Sequence, residues 1–143
     1  MATEEITQST GPLAIVLESE GITVQMLSLL LKTAGFQMAV HKPDVSMAQI
    51  LRGQIPEFII LDPFGGDEAL QIIDQVGRSS KFRDTKLVMY ATSDRLEEGK
   101  RRLASYKPDA LFSMPLNGVE FVKTLRSMVN STPKRRQWTS PLA

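Results

Sequence analysis

The sequence predicts an α/β protein: one five-stranded, all-parallel sheet with helices packed on both faces. Three observations carry this. Short apolar, β-branched-rich runs alternate with stretches of helical apolar spacing, and the alternation occurs five times along the 143 residues. The central runs lack the in-out polarity of a half-exposed strand, so they belong to a sheet covered on both sides. The intervals suit strand–helix–strand crossovers and leave no room for hairpins.

The first run, "PLAIVLES" (12–19), reads as a strand buried on both faces. "GITVQMLSLLLKTAGF" then places Leu27, Leu30, Leu31 and Ala34 at helical spacing, with Gly35 as the stop. "FQMAVH" (36–41) is the second strand. Asp44 is positioned to cap a short helix carrying Met47, Ile50 and Leu51, closed by Gly53 and Pro56. "FIIL" (58–61) is the third strand, followed by "DEALQIIDQVGRS" with Leu70, Ile73 and Val76 as its buried stripe.

"KLVMYA" (86–91) is the fourth strand. The fourth helix, "DRLEEGKRRLASY", has Asp94 and Glu97 at capping-box spacing and a thin apolar stripe of Leu96, Leu103 and Tyr106. "DALFS" (109–113) is the fifth strand. Asn117 and Glu120 make a second capping box, and Phe121, Val122, Leu125, Met128 and Val129 form the last apolar face. One domain over 12–130 is expected, after a disordered segment (1–11) and before a basic, proline-broken tail or linker (131–143).

Bulk chemistry narrows the function. Seventeen basic and sixteen acidic residues give a net charge near +1, so no global field draws the chain to nucleic acid or anionic membrane. The absence of cysteine removes disulfides, thiolate metal sites and cysteine nucleophiles, and fits a cytoplasmic setting. The opening "MATEEITQSTGP" has no apolar core of a signal peptide, and no run is long enough to span a bilayer. The tail "PKRRQW" has basic residues beside a tryptophan, but no nucleic-acid-binding motif accompanies it, and a basic linker is the reading adopted. His41, the single histidine, ends the second strand away from the acidic residues, which gives it no ligand partner.

The order of parts resembles the receiver domain of bacterial response regulators in two-component signalling and phosphorelays, over roughly residues 12–130. "VLESEGITVQMLSLLLKTAGF" matches that family's first strand and helix, "PEFIILD" its third strand, "LVMYATSD" its fourth, and "LFSMPLNGVEF" its fifth strand and turn. The resemblance implies a flavodoxin-like (βα)5 sheet in the order 2-1-3-4-5. It implies that Asp62 stands at the phosphoacceptor position, Thr92 at the switch-hydroxyl position, and Glu18, Glu20 and Asp62 around a Mg²⁺ position.

Measured against that family, the parts list is incomplete. Ser19 stands where the principal metal-ligating carboxylate belongs, and a neutral hydroxyl is a poor partner for a hard dication. Met114 replaces the phosphoryl-binding lysine and supplies no charge and no donor. Losses of such electrostatic partners cost on the order of 3 kcal/mol in comparable sites. Leu111 occupies the place of the switch aromatic, while Phe112 beside it faces the other way by strand alternation. "PFGG" replaces the usual loop after the acceptor, and an aspartate before it is also ordinary turn chemistry. Glu18 and Glu20 also suit a solvated loop edge, and Thr92 and Ser93 a helix cap before Asp94.

The expectation is a degenerate pseudo-receiver: a protein-interaction module with no cofactor and no enzymatic turnover. The alternative is a phosphoaccepting receiver using Asp62 with an atypical Mg²⁺ site, its enzymatic character limited to self-phosphorylation. By the same resemblance, a signalling partner docks on the fourth helix, fifth strand and fifth helix, through Leu96, Lys100, Leu103, Tyr106 and Phe112. Weak homodimerisation through those helices is allowed, with no sequence feature supporting it. A third class, a small-molecule site at the rim, has no phosphate-binding loop in the sequence to support it.

Overall fold

A computed structural model describes residues 11–46, 49–50 and 52–133 of the chain. Residues 1–10 and 134–143, which carry most of the expected loose opening and basic tail, lie outside the described residues. So do Met47, Ala48 and Leu51 of the expected second helix, of which Gln49 and Ile50 are helical.

The elements run β1 (Leu13–Leu17), α1 (Gly21–Thr33), β2 (Gln37–His41), β3 (Phe58–Leu61), α2 (Asp67–Arg78), β4 (Lys86–Thr92), α3 (Ser93–Glu98), α4 (Lys100–Tyr106), β5 (Ala110–Met114) and α5 (Gly118–Met128). The strands form one parallel sheet in the order β2-β1-β3-β4-β5. The fold class is the one the sequence implied, and so is the strand order.

Strand alternation divides the core in two. Leu13, Ile15, Leu17, Ile59, Leu61, Leu87 and Met89 face α2, burying Ile72, Ile73 and Val76 together with Phe82, Leu103 and Tyr106. Ala14, Val16, Phe58, Ile60, Val88, Tyr90 and Phe112 face α1 and α5, burying Leu27, Leu31, Phe121 and Leu125. Every residue of β1 and β3 is buried because both faces are roofed. No helix among the described residues is long and apolar enough to cross a membrane.

Local chemistry sets the helix ends. Gly35 terminates α1 at φ +84°, a left-handed conformation that costs glycine little. Asn117 caps α5 by accepting from the Glu120 amide at 3.0 Å, as the spacing predicts. In α2 the buried stripe is Ala69, Ile72, Ile73 and Val76, and Leu70 sits half-buried at its edge. That corrects the expected stripe by one helical position at its start.

The fourth helix differs more. The capping box expected at Asp94 and Glu97 does not form, because the helix starts two residues earlier, at Ser93, and Thr92 takes the cap position without a side-chain bond. The helix then breaks at Gly99 into α3 and α4. A Cβ built on Gly99 would lie 2.4 Å from Cζ of Phe64, so the missing side chain is what admits the Phe64 ring at the break.

At the amino end of the sheet a charge pair is built into the core. Lys86 is 2% exposed and its ammonium meets Oε2 of Glu57 at 2.5 Å. The same carboxylate oxygen accepts from the Asn130 amide at 3.1 Å, beyond the end of α5. Nearby, the Thr85 hydroxyl donates to the Pro56 carbonyl at 2.7 Å.

Candidate functional site: the carboxyl rim of the sheet

In open α/β sheets, ligands gather outside the carboxyl ends of the strands. Here β1, β3, β4 and β5 deliver Glu18, Asp62, Thr92 and Met114 to that rim. Alternation gives all four the parity of the strand residues facing α1 and α5. Thr92 and Met114 are register partners on adjacent strands.

Asp62 is half-buried and follows β3 directly. Its Oδ1 accepts from the Phe64 amide at 2.8 Å, and its carbonyl accepts from the Gly65 amide at 3.2 Å. This closes a compact turn that Gly66 leaves at φ +123°. Burial pushes the Asp62 carboxyl above the usual range, opposed by the Phe64 amide and by Arg95 and reinforced by Glu18.

The other two carboxylates are already engaged. Glu20 caps α1, accepting from the Thr23 amide at 2.7 Å, the Thr23 hydroxyl at 2.6 Å and the Ile22 amide at 3.3 Å. Those bonds, the Thr23 hydroxyl foremost, hold its carboxyl below the usual range. Glu18 accepts from the amides of Ser19 at 3.1 Å and Glu20 at 3.0 Å, and its Oε1 accepts from the hydroxyl of Tyr90. Burial, followed by the bond to Glu18, raises the Tyr90 phenol far above its ordinary range, so it is a permanent donor.

Among the described residues no group of three carboxylates or histidines forms that could hold a metal ion. Of the expected set of Glu18, Glu20 and Asp62, Glu20 is engaged in capping α1, and the second oxygen of Glu18 accepts from Tyr90. These side chains, as arranged, do not fit a three-carboxylate Mg²⁺ site.

Met114 packs against the core facing α1 and α5, and the Met114–Pro115 peptide is cis. Leu111 is 43% exposed, whereas the Phe112 ring is buried 4.9 Å from that of Phe121, the opposite orientations that alternation predicts. Thr92 is exposed and makes no capping bond, while the hydroxyls of Ser93 and Ser113 meet at 3.0 Å.

The five residues expected on the docking face differ in burial. Leu103, Tyr106 and Phe112 are buried and Leu96 packs against the core, because the thin stripe of α3 and α4 is spent on covering the sheet. Of the five residues only Lys100 is exposed. Beside it opens a groove of about 620 Å³ lined by Phe64, Arg95, Glu98, Gly99, Arg101 and Arg102. The Arg95 guanidinium donates to the Phe64 carbonyl at 3.3 Å, joining α3 to the turn after Asp62.

Sequence reasoning missed Tyr90 and Phe64. Tyr90 had one readable signal: it lies two residues before Thr92, and so on the same face of the strand. Phe64 had none, because its partner Gly99 is distant in sequence.

No protein-family model matches the sequence, and no curated protein does. Solved structures do. The receiver domain of a sensor histidine kinase from Pseudomonas aeruginosa, with a magnesium ion coordinated in its active-site cleft, is 11% identical with a TM-score of 0.71, covering 85% of this chain and all of that one. The N-terminal receiver domain of a two-component response regulator from Bacteroides fragilis is 20% identical with a TM-score of 0.71, covering 86% and 100%. A chemotaxis response regulator of Vibrio cholerae is 19% identical with a TM-score of 0.67, covering 83% and 99%. With its strand order, its two-sided core and these likenesses, the described chain has the fold of a response-regulator receiver domain.

Proposed function

We propose that the chain is a pseudo-receiver: a cytoplasmic signal-transduction module, spanning residues 12–130, that engages a protein partner without an aspartyl-phosphate cycle. The observation that carries this reading is the bond from Tyr90 to Glu18. It places a neutral donor from the protein on the carboxylate that a cation would otherwise need. Met114 supports it, since its side chain lies half-buried against the core and brings no positive charge to the rim. The partner surface is the exposed side of α3, α4 and β5, where Lys100, Arg101, Arg102 and Leu111 stand clear of the core.

The test is an amide spectrum of the chain with beryllofluoride and Mg²⁺, alongside acetyl phosphate treatment followed by intact mass. The pseudo-receiver gives no shift around residues 60–66 and no phosphoryl adduct. A second reading, phosphoacceptance by Asp62, draws on one observation: Asp62 stands at the end of the central strand with a carboxyl that is half-buried rather than closed off. A beryllofluoride response abolished by Asp62→Asn would establish it and sink the first reading.

A further inference from the structure

The groove at the helix break borders the turn after Asp62 through Phe64 and Arg95, and its lining is dominated by arginines. Arg95, Arg101 and Arg102 line it against a single acid, Glu98. Among the described residues none of the three arginines forms a salt bridge. Exposed guanidinium groups gathered round one cavity repel each other, and the repulsion is relieved by an anion rather than by water.

The shape narrows the anion. A groove of about 620 Å³ is far larger than one phosphate and falls in the range of small-molecule pockets. Phe64 contributes an aromatic wall, its ring edge seated against Gly99, which has no side chain to displace it. Guanidinium forks suit phosphate oxygens, the Phe64 ring suits a flat base, and a lone carboxylate suits hydroxyl or amino donors. An extended polyanion such as nucleic acid would need a longer basic track than this one groove provides.

We infer that the groove between Phe64 and the α3–α4 break binds a nucleotide, with Arg101 and Arg102 on its phosphates and Glu98 on its sugar or base donors. This site is separate from the aspartyl chemistry, and it stands whether or not Asp62 accepts phosphate.

The full chain, ¹⁵N-labelled, is titrated with ATP, GTP and inorganic tripolyphosphate at up to about 1 mM. At least one nucleotide should shift the amides of 64–66 and 95–102, and the double variant Arg101→Ala/Arg102→Ala should weaken it by at least about tenfold. Tripolyphosphate should bind at least about tenfold more weakly than that nucleotide, because it lacks the base. Both side chains are exposed, so a circular dichroism spectrum matching the wild type is expected for the variant, and the wild-type shift map decides alone if it differs. The inference is overturned if neither nucleotide shifts these amides, if the shifts map elsewhere, or if tripolyphosphate binds as tightly as the nucleotide.

Discussion

The hydroxyl of Tyr90 on β4 donates to the carboxylate of Glu18 after β1, and β3 lies between those two strands. The bond therefore passes across the end of the strand that delivers Asp62. It ties β4 to the end of β1 across the intervening β3. Removing it with Tyr90→Phe should lower stability by about 1 kcal/mol in urea unfolding, the usual net worth of a hydrogen bond to a partly solvated charge. It also frees Oε1 of Glu18. Mg²⁺ should then move the amides of 18–20 in the variant and leave them in place in the wild type; equal responses in both would show that Tyr90 does not guard the carboxylate.

Ser19 and Met114 stand at the two rim positions that lack charge. The double variant Ser19→Asp/Met114→Lys supplies a carboxylate beside Glu18 and an ammonium opposite Thr92, its register partner. A beryllofluoride- and Mg²⁺-dependent shift of the amides near Asp62 is expected in the double variant, absent from each single one. Restoring an electrostatic partner of this type is worth on the order of 3 kcal/mol. A silent double variant would locate the defect in the "PFGG" turn or in the Tyr90–Glu18 bond, and adding Tyr90→Phe separates the two.

Asp62 sets a pH dependence of known sign. Its folded carboxyl titrates above the ordinary aspartate range, chiefly through burial. Between the unfolded and folded values the folded state holds the extra proton, so stability falls as pH rises through that window and stays lower above it. Asp62→Asn keeps an oxygen for the Phe64 amide and removes the charge. Its melting temperature should exceed the wild type's at pH 7, and the gap should close as pH drops below the unfolded value. A variant less stable at neutral pH would mean that Arg95 outweighs burial.

Lys86 and Glu57 predict a large local cost. Glu57→Ala strands a nearly fully buried ammonium and should destabilise by about 3 kcal/mol in denaturant unfolding. Replacing both, with Glu57→Leu and Lys86→Met, should cost much less, since no uncompensated charge remains. If the double replacement were as damaging as the single one, the pair would hold the fold through geometry and not through charge.

How much of this was legible in the sequence follows from where the information resides. The sheet was readable because its strands are unbroken apolar runs, and "FIIL" maps onto Phe58–Leu61 without adjustment. Gly35 and Asn117 were readable because helix ends are written in adjacent residues. The helix break was not, since Gly99 is explained only by the ring of Phe64, thirty-five positions away. Glu18 and Glu20 looked like a metal remnant in one dimension. Three dimensions gave each its own donor, Tyr90 for one and Thr23 for the other. The arginine groove was hidden in the same way, as a charge run on a helix that only the turn after Asp62 converts into a cavity.

The link from Glu57 to the Asn130 amide has one more implication. It anchors the far end of α5 at the base of β3, while Asp62 sits at the crown. The two poles are separated by a four-residue strand, roughly 13 Å of fully buried backbone. The last described residue, Pro133, belongs to the basal pole. The end of α5 is thus tied to the pole of the sheet opposite Asp62, with the whole of β3 between them.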